Sequence, residues 1–403
     1  MRKNLFVVFA AMIVASIMLS ACGTATTPTP ETVTVVNTQV VVVTATPDAS
    51  MPTSLPAGSV QITGSGATFP LPLYTDWTYA FQYVDPAVAI NYQGIGSGGG
   101  KKAIVDGTVD FAGSDSLLAD ADYTNGKDLQ MYPMVASAVV VIYNIAFKPV
   151  ATPVAPATAT PLPKLILDRQ TLVDIYNAKI KKWNDPAIVA LNPGLKDLLP
   201  DATITVAHRS DGSGTTEIFT KSLTSFSSSW TAGGAQSVEW PVDKAGNGVG
   251  GKGNAGVAAA VINTPNSIGY TEISYAVSNS LAYADLINKA GKKVTANAAS
   301  IASDMTDGAG AFTDKLTATI VDGAGDGSWP ITGYTYLILH TTSMTDCVKA
   351  GKLLEYINWT LTDASAAARA AKLGYAVLPA DIKAKVLAKL AEVTCNGQPV
   401  MPK

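Results

Sequence analysis

Arg209, Asp211, Ser213, Gly214 and Thr215 fall within seven consecutive positions, and together they could hold an oxyanion. Arg209 offers a rigid fork of donors that matches a tetrahedral oxyanion two bonds at a time. Asp211 can pair with that guanidinium and hold it in place. Ser213, Gly214 and Thr215 supply hydroxyl and N–H donors where a helix should begin, the end of a helix that favours negative charge. Two more Gly/Ser/Thr loops, Thr63–Pro70 and Gly94–Gly100, would add Thr68, Phe69 and Ser97 in the same way. Any one of these hydroxyls could be an ordinary helix cap. Three such loops, with one arginine among them, describe a pocket for a small oxyanion.

Asp115 is the odd member, because an ionised carboxylate accepts hydrogen bonds only and should repel an anion. It becomes useful if the ligand still carries a proton. Monohydrogen phosphate does at neutral pH and sulfate does not. A site that reads a ligand O–H in this way can discriminate by roughly 10⁴–10⁵.

Other chemistries fit less well. Gly94-x-Gly96-x-x-Gly99, with Asp115 about 20 residues on, matches a dinucleotide fingerprint. That reading leaves the other two loops idle and asks for a nicotinamide pool outside the cell. Gly246–Gly253 nearly spells a P-loop, but Gly253 replaces the metal-binding Ser/Thr; it reads as a flexible loop before a helix. Asp322–Gly327 lacks the ligands of a calcium loop, with Ala324 at position 3 and Gly333 at position 12. Neither Ser97 nor Ser213 sits in a Gly-x-Ser-x-Gly elbow. His208 and His340 are too few for a metal cluster, and His208 and Ser213 lie too close on one loop to face each other as a triad. No enzyme, cofactor or metal is expected.

The elements that must carry these loops alternate. Strand-like runs at Val60–Thr63, Val88–Tyr92, Val109–Ala112, Ala138–Tyr143 and Tyr334–Leu339 are interleaved with helix-like segments, including Thr171–Ile180, Thr215–Phe226, Gly256–Ile262 and most of Cys347–Leu390. The runs Val109–Ala112 and Ala138–Tyr143 have the continuous apolar character of buried parallel strands. An α/β fold follows, with ligand sites at the carboxyl ends of strands.

The chain has 403 residues, is 47% hydrophobic and 15% charged, and carries a net charge of −3. That suffices for two domains and argues against nucleic acid, which calls for a dense basic face. Arg2-Lys3 followed by the apolar run Leu5–Leu19 reads as an export signal, too short for a plain membrane span. It ends in Leu19-Ser20-Ala21-Cys22, a lipobox in which Cys22 would be acylated. Residues 23–57, rich in Thr, Pro and Val, read as a tether, and Ala151–Pro163 as a surface loop of like composition. Cys347 and Cys395 remain. Outside the cytoplasm such a pair is more often bridged than free.

The segments Gly64–Tyr74, Asn91–Gly100, Val109–Asp115, Ile175–Pro186, Arg209–Thr216, Ser267–Glu272 and Trp329–Tyr336, in that order, resemble the phosphate-binding proteins of phosphate ABC transporters. The resemblance spans roughly residues 59 to 400. It implies an α/β, two-lobed, periplasmic-binding-protein-like (type II) fold with a double-crossover hinge. Lobe 1 would comprise 59–136 and 331–403, and lobe 2 would be 137–330 with a Pro-rich insertion at 151–163; residues 1–22 would be the lipoprotein signal and 23–58 the tether. By similarity the phosphate contacts are Thr68, Phe69, Ser97, Asp115, Arg209, Asp211, Ser213, Gly214 and Thr215. The implied partners are hydrogen phosphate, the permease subunits of an importer with their ATPase, and the membrane through the lipid on Cys22; the protein itself would be an extracytoplasmic monomer. Ser210 stands where the family often has alanine. An oxyanion sensor and a phosphoester hydrolase of the same fold are the alternatives.

Overall fold

The computed structural model describes residues 57–149 and 163–401. Cys22, the tether up to residue 56 and the Pro-rich patch up to residue 162 lie outside the described residues. The strands are β1 (Val60–Gly66), β2 (Val88–Gly94), β3 (Phe111–Ser114), β4 (Leu129–Asn144), β5 (Ile166–Asp168), β6 (Thr205–Arg209), β7 (Gly248–Gly251), β8 (Ser267–Glu272), β9 (Ala282–Tyr283), β10 (Asp285–Ile287), β11 (Lys293–Val294), β12 (Thr332–His340), β13 (Ala376–Val377), β14 (Thr394–Cys395) and β15 (Gln398–Pro399). The main sheet runs β2-β1-β3-β12-β4-β8-β6-β7, with β9 and β13 also pairing with β4.

β4 is the spine of this sheet. Its Leu129–Ala138 stretch pairs with β12 and its Val139–Asn144 stretch with β8, both antiparallel. The apolar run Ala138–Tyr143 therefore does not belong to a parallel strand, as its composition suggested. It is buried on both faces, and burial is what a continuous apolar run reports, whichever way the neighbours point. Within this sheet parallel pairing is confined to the two wings, β1 with β2 and β3, and β6 with β7 and β8; β5 and β10 also pair in parallel, in a separate three-stranded sheet with β11.

Helices cover the sheet through single apolar faces. Leu71–Val84 buries Leu73, Tyr74, Trp77, Ala80 and Phe81, at helical spacing. Gly214–Phe226 buries Ile218, Phe219, Leu223 and Phe226, and is capped by Ser213, whose hydroxyl accepts from Thr216 N–H. The expected helix at Thr171–Ile180 is shorter, Arg169–Tyr176, and the chain leaves it through Ala178 at φ 56°. The glycine-rich stretch before the third wing helix is also different from expectation. Gly248–Gly251 forms β7 against β6, and the helix Gly253–Asn263 starts directly behind it. In the C-terminal region the helices Cys347–Thr362, Ala364–Lys372 and Ala380–Leu390 pack on the β1–β4 side. A disulfide joins Cys347 to Cys395, with Cα atoms 5.4 Å apart.

Candidate functional site

Four strand-to-helix junctions meet, after β1, β2, β6 and β7, with helices starting at Leu71, Ser97, Gly214 and Gly253. The nine residues singled out above all lie on or beside these junctions, and Thr68, Phe69, Ser97, Asp115, Arg209, Ser213 and Thr215 are buried. The first N–H groups of each helix have no partner within the helix, so such a meeting concentrates donors.

Arg209 ends β6, and its backbone N–H donates to the Tyr270 hydroxyl at 3.2 Å. Its Nε donates to Asp211 Oδ1 at 2.7 Å and its Nη2 to Asp211 Oδ2. Asp211 in turn accepts the Gly253 N–H at 3.0 Å. One edge of the guanidinium is thus occupied, and the Nη1/Nη2 edge remains for a ligand. Because Asp211 balances Arg209, attraction for an anion must come mainly from oriented N–H and O–H groups.

Ser97 Oγ accepts from Asp115 N–H at 3.2 Å and from Gly214 N–H at 3.1 Å, tying the β2 junction to the β6 junction. Close approach is the reason for glycine at two places here. A Cβ on Gly214 would lie 2.5 Å from Asp115 Cβ, and one on Gly96, at φ +88°, would lie 2.5 Å from Asp211 Oδ2. The Asp115 carboxyl takes the Thr335 hydroxyl on Oδ1 at 2.9 Å and has Ser97 Oγ 3.5 Å from Oδ2. Burial pushes its pKa up to about 7, against the hydrogen bond from Thr335 and the nearby charge of Arg209.

Several contributors escaped the sequence reading. Asn254, Thr335, Tyr275 and Tyr375 shape the pocket: Tyr275 donates to the Thr68 carbonyl at 2.6 Å and Tyr375 to the Phe69 carbonyl at 2.7 Å. The signal for Asn254 was present, since Gly250-Gly251-Lys252-Gly253-Asn254 is a fourth glycine-rich junction. His208 is turned away, its Nε2 2.8 Å from Asp243 Oδ1 and its ring stacked on Trp240. His340, at the end of β12, pairs with Asp128. Among the described residues no group of three or more His, Cys, Asp or Glu side chains could hold a metal ion.

A family model described as a PBP superfamily domain matches residues 47–364. The chain is 37% identical over 331 residues to the phosphate-binding protein PstS of Pasteurella multocida, covering 81% of this chain and 89% of that one. The chain belongs to the PstS family of the PBP superfamily. A second PstS relative, from the archaeon Methanocaldococcus jannaschii, is 34% identical over 340 residues, covering 80% and 84%. The family is one of binding proteins rather than enzymes. Among solved structures, a high-affinity periplasmic phosphate-binding protein bound with phosphate is similar at a TM-score of 0.63 and 21% identity, covering 82% of this chain and 93% of that one. A phosphate-binding protein from Stenotrophomonas maltophilia is similar at 0.59 and 20%, covering 82% and 94%. At those identities the structures establish the fold, an α/β fold of the periplasmic-binding-protein type II kind.

Proposed function

We propose that this chain is the extracytoplasmic, lipid-anchored receptor that captures hydrogen phosphate and delivers it to an ABC importer. The observation that carries the reading is the meeting of the Arg209 fork and the helix starts around one buried carboxyl, Asp115. Thr68, Phe69, Ser97, Arg209, Ser213 and Thr215 donate to the anion, Gly214 lines it while its N–H holds Ser97 Oγ, Asp211 orients Arg209, and ionised Asp115 accepts the hydrogen bond of the ligand's remaining O–H. Sulfate has no proton to offer and meets Asp115 oxygen to oxygen.

On this reading residues 59–136 and 331–403 form one lobe and 137–330 the other, with 151–163 a surface insertion in the second. The chain passes between them within β4 and again ahead of β12, the two connections about which the lobes would close. Only the closed, loaded form would present both lobes to a permease. Cys22 and the tether would hold the receptor at the membrane.

Calorimetric titration of the full chain in phosphate-free buffer tests this. Tight 1:1 binding of phosphate with no response to sulfate is expected. Silence toward phosphate overturns the reading. Equal binding of both anions turns it into a general oxyanion receptor or sensor, and turnover of a generic phosphoester would favour a hydrolase.

A further inference from the structure

Asn254 is fully buried at the second position of the helix Gly253–Asn263 and contacts three separate elements. Its Oδ1 lies 3.3 Å from the backbone N of Glu272 and 3.1 Å from Thr271 Oγ1. A backbone N–H can only donate, so the atom facing it must be the amide oxygen. The amide NH2 is thereby aimed the other way, at Thr68 Oγ1 and Thr215 Oγ1, each 3.1 Å distant. Thr68 Oγ1 receives a second donor from the same residue, the Asn254 backbone N–H at 3.2 Å.

A hydroxyl has two lone pairs and one hydrogen. Asn254 fills both lone pairs of Thr68 and one of Thr215, and among the described residues no protein oxygen takes either hydroxyl hydrogen. Both O–H groups are left to donate. We propose that Asn254 is a positioning residue that commits these two hydroxyls, one from the β1 junction and one from the β6 junction, as donors to the bound anion. This rests on the receptor reading above and deepens it. With both lone pairs of Thr68 filled and one of the two on Thr215, a ligand O–H finds no acceptor on Thr68 and only one remaining lone pair on Thr215, which favours Asp115 as its acceptor. Asn254 would therefore set the orientation of a singly protonated tetrahedral anion, and also join the two wings of the sheet when it is bound.

The test is phosphate and sulfate titration of the full chain and its variants, with thermal melts alongside. Asn254→Asp keeps the shape but presents oxygens that draw both hydroxyl hydrogens back. It is expected to weaken phosphate by about a hundredfold or more, and Asn254→Ala, which frees the hydroxyls to rotate, by about tenfold. In a double-mutant cycle, Asn254→Ala should cost little further affinity once Thr68→Val and Thr215→Val are in place. A merely structural role predicts a lower melting temperature with unchanged affinity and an additive cycle, and either result overturns the proposal. If the Asn254 variants do not fold, Thr68→Val and Thr68→Ser decide: loss in the first with retention in the second supports it, and wild-type affinity in the first overturns it. A wild-type chain silent toward phosphate removes the receptor reading and this proposal together; tight wild-type binding with indifferent variants removes this proposal alone.

Discussion

Two places in this molecule surround an anionic oxygen with donors, and their tenants differ. At the end of β12, Asp128 Oδ2 accepts the backbone N–H groups of Thr341, Thr342 and Ser343 at 3.0, 2.7 and 2.8 Å, while Oδ1 meets His340 Nδ1 at 2.6 Å. Burial works against the charge, but His340 and those N–H groups win and hold the Asp128 carboxyl far below its usual range. In the pocket the donors are as numerous, yet the nearby carboxyl, Asp115, is held chiefly by one hydroxyl and sits pushed up to about 7. The first place carries its anion covalently and is a lock. The second keeps its donors for a visitor, and its own carboxyl is placed to judge that visitor's proton.

If this contrast is right, substitutions should separate the two. The largest effect is expected from Asp115→Asn, whose amide can donate to sulfate. It should weaken phosphate and collapse a discrimination of about 10⁴–10⁵ to within about tenfold, as read by competitive titration. Unchanged selectivity would break the comparison. Arg209→Ala should lower phosphate affinity by about 10³-fold, because two charge-assisted bonds go and Asp211 loses its partner; direct titration checks it. Asp128→Asn should do the reverse, leaving phosphate affinity alone while costing about 2 kcal/mol of stability in a denaturant melt. Since the folded pKa of Asp128 is lowered, that stability is present above the ordinary carboxylate value of about 4 and fades as the pH drops below it, so the variant and the parent should converge in acid. The smallest effect concerns Asp115 in the ligand-free protein. Its raised pKa means that its contribution is full below about pH 4 and is lost as the pH rises through about 7. Asp115→Asn should flatten that part of the melting curve against pH, by about 2 °C in melting temperature.

The same contrast explains what could be read from the chain. The three loops were legible because glycine, serine and threonine at a strand-to-helix boundary have a local meaning, and Arg209 with Asp211 is a local pair. Their meeting place was legible only as chemistry that needed several donors at once. Asn254 was missed because the glycines before it look like slack, whereas Gly248–Gly251 is a strand that delivers Asn254 to the pocket. Thr335 hides in the apolar run of β12, where its hydroxyl donates to a residue 220 positions away. Asp128 and His340, 212 apart, carry no local sign of each other. The direction of β4 was misread for the same reason. Local composition reports burial, while the choice of neighbour is made at long range.

β12 lies between β3 and β4 in the sheet although it begins long after both in the chain, at Thr332 against strand ends at Ser114 and Asn144. Until it arrives, β3 and β4 have no partner along their facing edges, and Asp115 lacks the hydroxyl that orients it. Such non-local pairing is slow to form and leaves strand edges exposed in the meantime. A chain emerging from its amino terminus can therefore build the β1–β2 pair, and later the β6–β8 wing, before either can serve. The pocket is completed only when residue 335 takes its place, so binding competence comes at the end of assembly, as a property of the nearly finished chain.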